Sequence, residues 1–420
     1  MKQNKFKQKR KSILLSISKI FSANILAQGL NLITIAYLTS IYELSVIGEL
    51  AVMISLISVL STVSSFRLEL LLLQQKSVRA IVTTFFYIAI ISIITSISLY
   101  LGLIQFFTQI FDFVNYYGTY FLIALISHSL FLICQFYLIA QNRIFTLSFF
   151  IISKPLIFLT LTISLPDLYI NNDLLETYLL SLILLGSQTI LYILKPTIQC
   201  VKSLRRSFVC WGYLSIIKKI DVAVYGFPTI FVNQLSVHGP IFILNAYLGA
   251  EIVGLFTLLQ RSIIAIVGVI SASINKIFLQ ISSANWGHNR SNIDTHQKFF
   301  LLGLTIGIFL SVALITFKLL SGFQMLGGPW SELGSFTMYF IPFVIIGTAA
   351  RSSTGFAAIG RSKMGLIFQV FNAAMLNCTF LIAQRYGNVE LIFLIYSMCL
   401  FVISLIQVIS MKLAIKRIKT

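Results

Sequence analysis

Arg261 stands near the middle of EIVGLFTLLQRSIIAIVGVISASI, residues 251–274, where the one other charge is the acid at the start. A guanidinium at the centre of a helix in a bilayer costs about 2.5–3.5 kcal/mol to insert, and such residues face a polar cavity or a partner. Lys154, in FFIISKPLIFLT, is a second cation inside an apolar run. Either it faces a cavity of the same kind, or its ammonium is satisfied by backbone carbonyls that Pro155 leaves without donors. No Asp or Glu is central in any apolar run, so a water-filled cavity that receives an anion would accommodate these cations. Arg67 and Glu69, in SSFRLELLLLQ, stand two apart; on a helix that spacing does not bring side chains together, so each is expected to have its own partner. His128 and His238 also lie in apolar runs, placed either to carry protons or to hydrogen-bond between helices.

The elements that must position these residues follow from composition. Hydrophobic residues make up 58% of the 420, charged residues 10%, and mean hydropathy is +0.93, which leaves too little polar surface to cover a water-soluble core. A spanning helix needs about 20 apolar residues. Twelve runs qualify, at 13–40, 44–66, 80–103, 117–140, 144–166, 174–194, 222–247, 252–275, 299–320, 333–350, 364–384 and 389–411. Strings such as LLETYLLSLILLGSQTILYIL have no period of two and are too long for barrel strands. The expected fold class is therefore all-α, a polytopic membrane protein with about twelve transmembrane helices. The basic N-terminus precedes a run without a small-residue cleavage pattern, so it reads as the first span rather than a signal peptide.

The net charge of +19 would suggest nucleic acid in a soluble protein, but its distribution argues against that partner. All but four of the 31 Lys and Arg residues fall in the N-terminal segment, the C-terminal tail and every second connection. Lys318 and Arg385 lie on the opposite side, and Lys154 and Arg261 within spans. The rule that basic residues stay inside puts both termini in the cytoplasm.

The longest basic connection, KPTIQCVKSLRRSFVCWGYLSIIKKID at 195–221, divides the chain into six spans and six: an N-terminal lobe over 1–194, a basic amphipathic linker suited to the lipid interface over 195–221, and a C-terminal lobe over 222–420. Sliding the second half onto the first by about 206 positions sets Gln28 on Gln234 and Gly48 on Gly254, as SIYELSVIGEL and AYLGAEIVGLF show. A six-helix unit repeated in parallel would give this offset. Gln28, Asn31, Asn233 and Gln234 line the two related helices, where amides would bind sugar hydroxyls or join helices. The seventh run holds Pro228 and Gly239-Pro240, and each proline removes a ladder hydrogen bond, which suits a gate. The five cysteines have no CxxC and no His at metal spacing, so no metal and no cofactor is expected.

In FRLEL at 66–70, LGAEIVGLFTLLQR at 248–261, LGGPWSELGSF at 326–336 and GRSK at 360–363, in that order among twelve spans, the chain resembles the Wzx-like oligosaccharide flippases of the MOP exporter superfamily. These carry O-antigen or polysaccharide repeat units. The resemblance covers nearly the whole chain. It implies two six-helix lobes forming a V around a cationic cavity, in the bacterial inner membrane. It also implies translocation of undecaprenyl-diphosphate-linked oligosaccharide from the cytoplasmic to the outer leaflet by ion-coupled alternating access. Arginines on the second and eighth helices of related lipid-linked sugar flippases face that cavity; here these would be Arg67 and Arg261, with Lys154 a further diphosphate ligand. Membrane lipids, a polysaccharide polymerase and a chain-length regulator are the other partners implied.

Other classes fit less well. A polymerase or ligase would need a sizeable external catalytic loop, and a metal-dependent glycosyltransferase a DxD, which is absent. There is no Walker A motif, so no ATP hydrolysis and no enzyme activity is expected. The alternative is a multidrug exporter of the same superfamily, in which cation extrusion would favour carboxylates rather than basic residues in the cavity.

Overall fold

The computed structural model describes residues 2–73, 75, 77–107, 112–141, 143–164, 174–202, 221–268, 270, 289–322, 329–348, 362–383 and 388–416. In hydrocarbon each backbone N–H and C=O must be satisfied within its own segment, so apolar runs of this length become helices. They form α1 (Lys2–Ile41), α2 (Leu44–Ser64), the single turn α3 (Leu70–Leu73), α4 (Val78–Phe107), α5 (Asp112–Ala140), α6 (Ile144–Ser164) and α7 (Leu174–Lys202). The chain continues as α8 (Asp221–Leu248), α9 (Ala250–Leu259), α10 (Asn289–Gly322), α11 (Pro329–Thr337), α12 (Ile341–Gly347), α13 (Ser362–Ala383) and α14 (Val389–Lys416). No strand occurs among the described residues, and the all-α, polytopic class expected from the sequence is the one observed. Nine helices among the described residues are long and apolar enough to cross a membrane. Large apolar side chains such as Phe145, Phe309 and Leu191 are exposed, as a lipid solvent permits. This is a multi-pass membrane protein.

By packing, the chain falls into two compact units, Met1–Thr34 with Met53–Gln234 and Ile35–Val52 with Leu235–Thr420. The basic connection expected as a linker lies largely at 203–220, outside the described residues.

Lipid is as apolar as leucine, so helices associate in it through close packing and hydrogen bonds rather than by escape from water. In the first unit the core gathers Val82, Phe85 and Ile88 of α4, Ile133, Cys134 and Tyr137 of α5, and Leu185 of α7. Gly186 brings α7 so close to α5 that any Cβ there would collide with Ser127. α5 carries non-helical torsions at Gly118 (φ 34°, ψ −103°), so the helix begins at Asp112 and bends where the sequence placed its start. In the second unit the centre is aromatic: Phe256, Phe340, Phe380 and Phe393 are almost wholly buried, with the Phe256 and Phe380 rings 5.4 Å apart. Gly249, at φ 87°, makes the tight turn from α8 to α9. The turn between α1 and α2 belongs to this unit because Gly48 and Gly254 bring α2 and α9 into backbone contact. Trp330 Nε1 donates to Thr39 Oγ1 in the same region (2.9 Å).

Candidate functional site

In the first unit α5 and α6 bring together two residues singled out in the sequence. Lys154 Nζ lies 2.9 Å from His128 Nε2, and His128 Nδ1 lies 2.9 Å from Ser61 Oγ on α2. His128 is buried and Lys154 half-buried. A hydroxyl cluster borders the imidazole: Ser64 Oγ is 2.8 Å from Ser92 Oγ and donates to Ser129 Oγ (3.0 Å), which Ser96 also approaches at 3.4 Å. The sequence leaves Lys154 between a cavity and freed carbonyls; the structure sets its ammonium against an imidazole nitrogen. The serines were missed. Ser61 with Ser64, and Ser92 with Ser96, recur at helical spacing inside apolar runs, and that was the signal available.

Arg67 corrects an expectation. Its Nη1 is 3.4 Å from Glu69 Oε1, so the two residues pair with each other rather than each taking a separate partner. The argument from helical spacing fails because α2 ends at Ser64, and Phe66 and Arg67 adopt left-handed torsions, φ 48° and 64°. Each such residue costs about 1–2 kcal/mol. The Arg67 guanidinium also stands 5.9 Å from the Phe136 ring centroid, and Phe66 packs on Phe227. Glu69 is buried, and its Oε2 has no hydrogen-bond partner among the described residues. Phe136 is two turns beyond His128 on α5, about 12 Å along the axis, so Arg67 is not brought to the Lys154–His128 contact. Gln234 Nε2 donates to Thr62 Oγ1 (3.3 Å) within this unit. Gln28, Asn31 and Asn233 are half-buried there. At the α5–α6 turn Arg143 donates to the Tyr192 hydroxyl (2.7 Å), which raises the guanidinium pKa further.

In the second unit Arg261 occupies a turn of π-helix, Gln260–Ile264. The Ala265 N–H bonds to the Gln260 carbonyl, five residues back, and Ser262 Oγ donates to the Leu258 carbonyl (2.7 Å). Such bulges insert a residue into the helical register and recur at functional sites. This one follows the fully buried stretch Val253–Leu259 and leaves Arg261 half-buried. His238 lies within electrostatic reach of Arg261, and its Nδ1 has no hydrogen-bond partner among the described residues.

The expected gate residues sit on α8, which runs from Asp221 to Leu248 as one helix; Pro228 is exposed, Gly239 and Pro240 buried. Pro240 has no N–H to offer the Ser236 carbonyl. Donors from neighbouring segments reach the carbonyls on either side of it, Asn377 Nδ2 to Leu235 (3.2 Å) and Gln260 Nε2 to Val237 (3.1 Å). A Cβ on Gly239 would collide with the Asn377 amide. Asn377 and Gln260 carried no signal in the sequence beyond being amides in apolar runs. No cluster of metal-ligating side chains occurs among the described residues.

No family model matches the chain, and no curated protein does. Solved structures share its fold. An outward-facing multidrug resistance MATE family transporter of the MOP superfamily is 15% identical, with a TM-score of 0.64 over 96% of both chains. A Vibrio cholerae MATE transporter is 14% identical, with a TM-score of 0.59 over 97% of this chain and 96% of its own. A MOP superfamily transporter from Pyrococcus furiosus, described as having a binding pocket of reverse polarity that suggests a different function, is 13% identical, with a TM-score of 0.59 over 96% of both chains. The fold is thus the two-lobe, twelve-span architecture of these transporters.

Proposed function

We propose that this chain is a membrane transporter for a lipid-linked anion, and that its cargo is undecaprenyl-diphosphate-linked oligosaccharide carried from the cytoplasmic to the outer leaflet by alternating access. The observation that carries the reading is the sign of the midspan charges. Arg261, set in a π-turn within an apolar helix, and Lys154 are basic. The described glutamates lie at or near helix ends. The Pyrococcus furiosus neighbour, described as having a binding pocket of reverse polarity, gives precedent for this fold with a pocket of altered character.

A diphosphate is the part of such a lipid least able to enter hydrocarbon, and a guanidinium offers forked donors that match its oxygens. In the second unit Arg261 would bind the diphosphate; in the first, Lys154 and, two turns away, Arg67 would each offer a further cation, and the amides of Gln28, Asn31, Asn233 and Gln234 would meet sugar hydroxyls. The polyprenyl tail stays in lipid throughout. Bending of α8 near Pro228 or Gly239-Pro240 would change access. A bacterial inner-membrane location with cytoplasmic termini, and work beside a polymerase and a chain-length regulator, complete the reading.

The second reading, a multidrug exporter, draws on the neighbours, one of which is a multidrug resistance transporter. Cargo charge separates the two. Proteoliposomes bearing the purified protein should translocate a labelled undecaprenyl-diphosphate oligosaccharide and leave a cationic dye where it was. Movement of the dye alone would favour the exporter.

A further inference from the structure

The Lys154–His128–Ser61 chain is a polar assembly that diphosphate binding alone does not explain. Ser61 donates its own hydroxyl to the Ser58 carbonyl (3.2 Å), which leaves Ser61 Oγ to accept from His128 Nδ1–H (2.9 Å). That bond selects the tautomer. Nε2 then presents a lone pair, and Lys154 Nζ, 2.9 Å away, donates to it. One proton lies between the two nitrogens and the pair carries one positive charge.

We propose that Lys154 and His128 form a proton-binding switch that couples the transporter to protons: one proton between them holds the lysine in, and a second releases it toward an anion. The inference deepens the transport reading and rests on it for the coupling role, though the proton chemistry stands apart from the cargo. A proton from water adds to the Nε2 lone pair; the Nζ–H···Nε2 bond breaks, because both nitrogens are now donors, and the charge rises from one to two. The imidazole is fixed by Ser61 and by Phe131, whose ring stacks on it at 6.4 Å and itself stacks on Phe150 at 6.3 Å. Lys154 is half-buried on a flexible four-carbon stem, so the lysine is the part that moves.

The neighbouring groups suit the role. α6 contributes Lys154 itself, and α2 and α4 contribute hydroxyls: Ser61, Ser64, Ser92 and Ser96. α7 presents Gly186 opposite Ser127, and its phenols Tyr192 and Tyr178 pack on Phe150 and Phe158, one turn to either side of Lys154. Cys134 and Tyr137 follow on α5, Glu176 lies in the first turn of α7, and Arg67 and Glu69 stand two turns away near Phe136. An anion binds a doubly charged pair more tightly than a singly charged one, and by linkage the anion strengthens proton binding equally. Acidification therefore tightens anion binding at this site, and anion binding takes up a proton.

The chain has four histidines, few enough for nitrogen NMR of histidine-labelled protein in nanodiscs, with His128→Gln assigning the signal. The expected neutral form carries its proton on Nδ1, and a single step adds one to Nε2. Lys154→Met, or Lys154→Gln should the first fold poorly, moves that midpoint by about one pH unit or more, a tenfold change in proton affinity; Arg143→Met, at the exposed α5–α6 turn, leaves it nearly in place. A neutral form protonated on Nε2, or a midpoint indifferent to Lys154, overturns the switch. In proteoliposomes, flipping of undecaprenyl-diphosphate oligosaccharide by wild-type protein should change several-fold with an imposed pH gradient, and the residual flipping of His128→Gln should not respond. A wild type indifferent to the gradient refutes the coupling while leaving the flippase reading intact. An intact NMR switch in a protein that moves no lipid-linked sugar supports the switch and counts against that cargo.

Discussion

Gly48 and Gly254 set a close backbone approach in the second unit, and filling either one should open it. A Cβ on Gly48 would strike the Ala250 carbonyl oxygen, with the carbonyl carbon at 2.6 Å and Gly254 N at 3.0 Å; a Cβ on Gly254 would strike the Leu44 carbonyl oxygen, its carbon at 3.0 Å. Carbon atoms in contact sit about 3.5–4.0 Å apart, so α2 and α9 must part by roughly 1 Å, and backbone cannot rotate aside as a side chain can. Overpacking of this kind costs about 1–3 kcal/mol, against a gain of up to about 1 kcal/mol from replacing a helical glycine by alanine. Gly48→Ala and Gly254→Ala should each lose about 1–2 kcal/mol in denaturant or thermal unfolding of the detergent-solubilised protein. Gly29→Ala and Gly102→Ala, where nothing lies within 4 Å of the new methyl, should lose nothing. Because the first substitution already opens the crossing, the double variant should lose less than the sum of the two. Wild-type stability in Gly48→Ala, or strict additivity in the double variant, would refute the packing argument.

Removing Arg67 leaves the buried Glu69 carboxylate without its cation, so Arg67→Ala should cost about 1–3 kcal/mol. Glu69→Gln, which removes the carboxylate whose Oε2 has no described partner, should cost less; unfolding midpoints in the reverse order contradict this. Replacing Pro228 and Pro240 by alanine should slow turnover more than it weakens substrate binding, because alternating access needs a helix that changes shape; equal losses in both would argue against a gate on α8. A reporter fused after Asn172 should be external and one fused at Ser203 cytoplasmic, and an external Ser203 would reverse the orientation.

The helices were legible because lipid leaves the backbone one solution: twelve apolar runs predict helices, and the observed boundaries extend or trim them by a few residues to about a dozen. The Gly48–Gly254 correspondence was legible as a repeat offset, but nothing in one sequence says that repeat-related glycines touch. Arg261 and Lys154 stood out because charge in an apolar run is costly wherever it points. Three features stayed hidden. The π-turn at Gln260–Ile264 shifts hydrogen-bond register without any residue type that demands it. The Arg67–Glu69 pair depends on left-handed torsions that non-glycine residues rarely adopt. The Lys154–His128 contact joins residues 26 apart on different helices, and helical spacing ranks neighbours only within one helix.

The central claim, that a midspan guanidinium holds the diphosphate of a lipid-linked sugar, meets its most direct test at Arg261. The measurement is the rate at which purified protein in proteoliposomes flips a labelled undecaprenyl-diphosphate oligosaccharide, compared for wild type, Arg261→Lys and Arg261→Ala at matched insertion. Lysine keeps the charge and loses the fork, so partial activity is expected; alanine loses both, so nearly all activity should go. Full activity in a well-inserted Arg261→Ala protein would contradict the account.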